Sequence, residues 1–125
     1  MTSGPRRSRG KPPAALDGLR PILAGLSARK AVDVVVLDLR GLSEATDYFV
    51  IASGTSDAHV RGMADHLMSL STGAARPHHV EGLTQGRWVL LDYVDFVVHL
   101  FHPELRDFYQ LERLWGEAPV VAVGE

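Results

Sequence analysis

Two strand-like runs, RWVLLDY (Arg87 to Tyr93) and DFVVHLF (Asp95 to Phe101), follow one another with almost no chain between them. Such runs of β-branched and aromatic residues belong in a sheet. Their junction leaves two solutions: a very tight hairpin at Tyr93-Val94-Asp95, or one long strand that bends there. His102-Pro103 stops the sheet, and Pro103 suits the first position of a helix, where its missing N–H costs nothing. Leu105, Phe108, Leu111 and Trp115 then form a helical stripe, closed by Gly116 and Pro119. The last residues, VVAVGE, are too short to classify.

Upstream, Leu16, Leu19, Ile22, Leu23 and Leu26 lie three or four apart, as on one helix face. Pro21 interrupts that stripe and predicts a kink or a fresh start. VDVVVLDL (Val32 to Leu39) reads as a strand buried on both faces, and YFVIAS (Tyr48 to Ser53) as a second strand, with a loop between. Gly54-Thr55-Ser56 ends that strand, and Ser56 or Thr55 can cap a helix that begins near Asp57. Val60, Met63, Ala64, Leu67 and Met68 continue it, with Gly73 as its natural stop. A loop through Pro77 leads to a short strand around His79 to Glu81, and Gly82 to Gly86 is a turn.

The order helix, two strands, helix, three strands, helix predicts an α+β (α/β) fold. Its mixed sheet of about five strands has helices packed on it. At 125 residues there is room for one domain. Residues 1–13 read as a disordered basic tail, 14–119 as the domain and 120–125 as a short tail. The absence of cysteine excludes a disulfide scaffold, a thiolate metal site and a cysteine nucleophile. No apolar run nears the roughly 18 residues that cross a bilayer, and no signal-peptide core opens the chain. A soluble cytoplasmic protein without membrane contact is the expectation.

Charge is unevenly placed. Residues 1–30 carry seven of the 13 basic side chains and one acid, Asp17, which leaves six basic residues and 14 of 15 acids in 31–125, a balance of −8. An acidic domain binds nucleic acid poorly, because phosphate contacts need Lys and Arg on the contact face. It suits a basic protein, whose approach its field steers. Ordinary solvated charge is the commoner reading of such a balance. The tail, with Arg6, Arg7, Arg9 and Lys11, is suited to weak contact with RNA.

Catalytic constellations are hard to assemble. A nucleotidyl transferase needs a Gly-Ser turn that opens a helix, then two carboxylates two residues apart on a strand to clamp metal on a triphosphate. Gly54-Thr55-Ser56 has the first look. The second is missing: Asp92 and Asp95 are three apart, as are Glu44 and Asp47, and Asp33 and Asp38 are five apart. Odd separations in a strand face opposite ways. Neither His78-His79 nor His99 and His102 has metal-ligand spacing, and no phosphate loop is present, so no metal or cofactor is expected. What remains is a surface. Trp88 and Tyr93 stand among Arg87, Asp92 and Asp95, and Tyr109, Glu112 and Trp115 share the last helix; aromatics beside charges are common interface anchors. Core or rim packing explains the two tryptophans equally well. On these grounds the chain is a binding module with an unidentified partner.

The run GRWVLLDYVDFVVHLFHPELRDFYQLERLWGEAP (Gly86 to Pro119) resembles the ribosomal silencing factor family (RsfS, also called Iojap). The family signature is a Trp-led strand, Asp-Tyr-Gly-Asp, a Val-His pair and Arg-x-(Phe/Tyr)-Tyr-x-Leu-Glu-x-Leu-Trp. DVVVLDLRGLSEATDYFVIASGTSDAHVRGMADHL and VEG upstream are also similar, so the resemblance spans roughly residues 28–119. It implies a non-enzymatic factor with a nucleotidyltransferase-like fold lacking that active site. It also implies binding to the large ribosomal subunit through large-subunit ribosomal protein fourteen, which blocks joining of the small subunit and represses translation when nutrients are short. Organelle relatives act in large-subunit assembly, and family members are often homodimers. By the resemblance, Trp88 is the main anchor, Asp92, Tyr93 and Asp95 hold the Asp-Tyr-x-Asp positions, and Val98 and His99 the Val-His pair. Asp92 and Asp95 would accept Lys and Arg of a basic ribosomal protein. Val94 stands where the family usually has Gly; a positive φ there would cost a β-branched residue about 1–3 kcal/mol.

Overall fold

The Tyr93-Val94-Asp95 junction is a hairpin. The computed structural model describes residues 14–70, 76–105 and 120–124. In it β4 (Trp88–Asp92) turns straight back into β5 (Phe96–Phe101), antiparallel, with Trp88 opposite Phe101 and Asp92 opposite Val97. The other elements are α1 (Ala14–Ala28), β1 (Val32–Asp38), β2 (Tyr48–Ser53), α2 (Asp57–Ser69), β3 (His79–Glu81) and β6 (Val120–Gly124). They make one six-stranded mixed sheet in the order β3-β4-β5-β2-β1-β6, in which β2 and β5 are the parallel pair. The chain from β2 to β5 passes through α2, the connection that parallel neighbours require.

Alternation along each strand makes two apolar layers. Val34 and Val36, Tyr48 and Val50, Val89 and Leu91, Val98 and Leu100 face one way and pack beneath Leu19, Ile22 and Leu26 of α1 and Val60, Met63 and Leu67 of α2. Leu37, Leu39, Ile51 and Phe101 face the other way, joined by Val35, Phe49, Trp88 and Leu105. A sheet with apolar side chains on both faces must be covered on both.

Local signals explain most element ends. Ser56 caps α2, its hydroxyl accepting the His59 N–H at 3.0 Å. A Cβ on Gly54 would lie 2.9 Å from Val60 Cγ2, so the glycine lets strand and helix pack closely. The helical turn after β5 begins at Pro103, as its missing N–H allows.

Four expectations change. α1 runs through Pro21 as one helix with no fresh start, since its buried face supplies tertiary support to the turn that lost a hydrogen bond. β1 is buried only from Val34 onward; Val32 is 38% exposed and a bulge with Asp33 at φ +53° twists its start outward. α2 stops at Ser69, with Leu70 as its cap, before Gly73, which lies outside the described residues. Residues 120–124, read as a tail, form β6 on β1 and make a sixth strand; only this distant partner stabilises so short a segment. The basic tail (1–13) and the continuation of the last helix through Phe108, Tyr109, Leu111, Glu112 and Trp115 also lie outside the described residues. Among the described residues no helix is long and apolar enough to cross a membrane.

Candidate functional site

Strand alternation puts Trp88, Leu90 and Asp92 on the sheet face turned away from α1 and α2. Trp88 is only partly buried there. Its ring stacks on Phe101 with centroids 5.0 Å apart, and its indole N–H donates to His99 Nδ1 at 3.2 Å. Phe49 meets the same imidazole edge-on at 4.5 Å. An indole N–H can only donate, so His99 Nδ1 is the acceptor and Nε2 carries the proton. Burial pushes the His99 pKa down to about 4, which keeps the ring neutral. Its Nε2–H is buried and finds no acceptor among the described residues.

The turn at the other end of β4 is held tightly. Asp95 N–H donates to Tyr93 C=O at 3.0 Å across Val94, whose φ is +77°. That is a γ-turn of the rare, strained hand. Tyr93 N–H donates to Phe96 C=O at 2.9 Å, and Asp92 Oδ1 accepts the Val94 N–H at 2.8 Å. The positive φ that the single glycine of the family pattern suggests is therefore present, and a valine bears it. Asp47 N–H donates to Asp95 C=O at 2.9 Å, which ties the loop before β2 to this turn. Asp47, Asp92 and Asp95 thus gather at one end of the sheet, and among the described residues none of them is in an ion pair. Asp38 at the same end differs: Arg40 grips it through Nε at 3.0 Å and Nη2 at 2.8 Å while lying over the Tyr48 ring. That hydrogen bond raises the arginine pKa further.

Of the five anticipated partner-binding residues, the structure joins Trp88 with His99 and places Asp92 and Asp95 on one turn. Tyr93 departs from the group. It faces the helix layer, stacked on Phe96 at 4.6 Å and 6% exposed, and burial pushes its pKa up to about 12. Its odd separation from Trp88 along an extended strand already carries that signal. His99, 4% exposed, has almost no surface of its own and accepts the Trp88 indole N–H. Nothing local in the sequence links Asp47, Phe49 and the Asp38–Arg40 pair to the hairpin; sheet pairing alone brings them to it. Gly54-Thr55-Ser56 is occupied by packing and capping: Thr55 N–H donates to His59 Nδ1 at 2.8 Å and His59 Nε2 donates to Arg29 C=O at 2.7 Å. Among the described residues no three His, Asp or Glu side chains gather to hold a metal ion.

Comparison with known proteins decides the family. The model of the family described as "Ribosomal silencing factor during starvation" (RsfS) matches residues 12–125. The chain belongs to the ribosomal silencing factor family. It is 38% identical over 103 residues to the ribosomal silencing factor RsfS of Bacillus subtilis, covering 82% of this chain and 87% of that one. It is 35% identical over 94 residues to the mouse protein named mitochondrial assembly of ribosomal large subunit protein 1, covering 72% of this chain but 41% of that one. A crystal structure of a protein from Chromobacterium violaceum superposes with a TM-score of 0.77 at 30% identity, covering 81% of this chain and 85% of that one. The RsfS match reaches past Pro119 to the end of the chain, in keeping with β6 being part of the domain.

Proposed function

We propose that this RsfS-family chain represses translation without a covalent step. It binds the large ribosomal subunit through ribosomal protein fourteen and occupies space that the small subunit needs. Three kinds of support converge on that reading: the names of its relatives, the −8 balance of residues 31–125, and the geometry of the β4–β5 hairpin. The observation that carries it is a partly exposed Trp88, braced by Phe101 and His99, on the same hairpin as Asp92 and Asp95, which with Asp47 of the neighbouring loop are in no ion pair among the described residues. An aromatic anchor at one end of the hairpin and desolvatable acids at the other suit the surface of a basic protein. The same reading has the chain cytoplasmic, and dimeric when off the ribosome.

Co-sedimentation with purified large subunits, with and without small subunits, tests it. The expected result is retention on large subunits and fewer joined ribosomes. A chain that ignores large subunits, or that turns over ATP with magnesium, overturns it. A second reading, a factor in large-subunit assembly, is favoured by the name of the mouse relative. It uses the same surface. Ribosomal particle profiles of a deletion strain separate the two: accumulated precursors favour assembly, and unrestrained joining in stationary phase favours silencing.

A further inference from the structure

Where the end of α1 meets the start of α2, the surface opens into a cavity of about 270 Å³ lined by Ala28, Arg29, Lys30, Ala58, His59 and Gly62. It sits beside the carboxyl end of β2, and the parallel strand β5 ends level with it, Ser53 opposite Phe101. Ligands of α/β sheets bind at the carboxyl ends of parallel strands. Asp47, Asp92 and Asp95 lie at the other end, where β2 and β5 begin. The cavity is therefore separate from the acidic turn.

Its walls are held by the fold. His59 ties the two helices together, Nδ1 accepting the Thr55 N–H at 2.8 Å and Nε2 donating to Arg29 C=O at 2.7 Å. Gly62 leaves room in the floor. A Cβ there would lie 3.3 Å from Arg29 Nη2, so the guanidinium lies over α2 rather than out in solvent. Lys30 follows α1 at φ +60°, a place where glycine is the usual residue, and Asp33 holds φ +53° just beyond. Non-glycine residues at positive φ gather at ligand sites, because the surrounding structure must hold them there.

The acidity of the domain does not reach this corner. Glu104 pairs with Arg87 and Glu81 is hydrogen-bonded to His79, while among the described residues neither Arg29 nor Lys30 is in an ion pair. The N-terminus of α2 is not the attraction, since Ser56 already accepts the His59 N–H and the cavity runs along the helix flank from Ala58 to Gly62. A guanidinium offers parallel N–H donors and an ammonium adds donors from another direction, a set that matches the several oxygens of a phosphate. The volume is just below the roughly 300–1,000 Å³ of pockets that enclose a drug-sized molecule, and suits one phosphate with its sugar. We propose that this cavity is a phosphate site, with Arg29 and Lys30 as its cations, for the phosphate of a free nucleotide or of an RNA backbone. The site stands apart from the function proposed above, and both ends of the sheet can be occupied together.

Amide NMR of the full chain tests it, with inorganic pyrophosphate and a short oligouridine without terminal phosphates as probes, each at matched ionic strength in chloride. The amides of Arg29, Lys30, Ala58, His59 and Gly62 shift saturably with at least one probe, and those of Asp92 and Asp95 stay in place. Tighter binding of pyrophosphate assigns the site to a free phosphate compound, and tighter binding of the oligouridine assigns it to RNA; either result sustains the site. Two variants weaken that binding about ten-fold or more, the loss expected when a charge-assisted hydrogen bond goes. Arg29→Gln/Lys30→Gln removes the cations. Gly62→Asp sets a carboxylate against the Arg29 guanidinium at a helical position that accepts a side chain, and unmoved Asp92 and Asp95 amides show that each variant is folded. No saturable shift with either probe overturns the proposal, as do shifts that chloride reproduces and undiminished binding by both variants.

Discussion

Trp88 and His99 are one unit: the indole N–H of the first donates to the buried Nδ1 of the second at 3.2 Å, across the β4–β5 hairpin. The candidate anchor is thus oriented by a neutral histidine that has no surface of its own. Trp88→Ala removes the anchor and also its stack on Phe101, so it is expected to weaken large-subunit binding by about 2 kcal/mol or more and the fold by about 2–3 kcal/mol. Trp88→Phe separates the two effects. It retains stacking, and denaturation should show a loss of about 1 kcal/mol from the missing hydrogen bond. Unchanged affinity of folded Trp88→Ala in co-sedimentation would rule Trp88 out as the anchor.

His99 makes the fold acid-sensitive. Its pKa is about 4 in the folded chain against 6.5 when unfolded, so the unfolded state binds the extra proton first. The stabilisation is fully present above about pH 6.5 and is lost as pH falls toward about 4, by about 3 kcal/mol in all. Denaturation of wild type and His99→Asn across that window should show a steeper decline for wild type. Parallel curves would contradict a neutral buried ring.

Val94 carries backbone strain that glycine would release. Its φ of +77° costs a β-branched residue about 1–3 kcal/mol, partly offset by the greater chain entropy of glycine. Val94→Gly is expected to stabilise the domain by about 1 kcal/mol, while Val94→Ala, still an L-residue at positive φ, gains little. The midpoints of urea unfolding decide it; a less stable glycine variant would mean the turn is not strained.

The two turn aspartates are not equivalent. Asp92 accepts the Val94 N–H through Oδ1, whereas the exposed Asp95 side chain has no such duty. Asp95→Lys should leave stability within about 0.5 kcal/mol of wild type and slow association with large subunits several-fold, with a weaker salt dependence. Asp92→Lys should slow association and also cost about 1 kcal/mol of stability through the lost turn hydrogen bond. Stopped-flow rates at two salt concentrations, beside urea midpoints, separate the pair.

Much of this molecule is local chemistry. The β-branched runs from Val32 and Tyr48, the Ser56 cap and the Pro103 start are each dictated by side chains within a few residues of one another, so the sequence alone determined them. The linked motifs from Gly86 to Pro119 likewise mark the family in the sequence itself. Other features exist only in three dimensions. Residues 120–124 become a strand because β1 offers an unpaired edge, and α1 runs on through Pro21 because its face is buried. Asp47 joins the acidic turn through a backbone bond to Asp95, which lies far along the chain. Tyr93 and Trp88, neighbours in the motif, were parted by the pleat into different layers. The physical reason is the same in each case: propensity and capping act over one turn or strand, whereas burial and sheet pairing depend on which distant segment completes the surface.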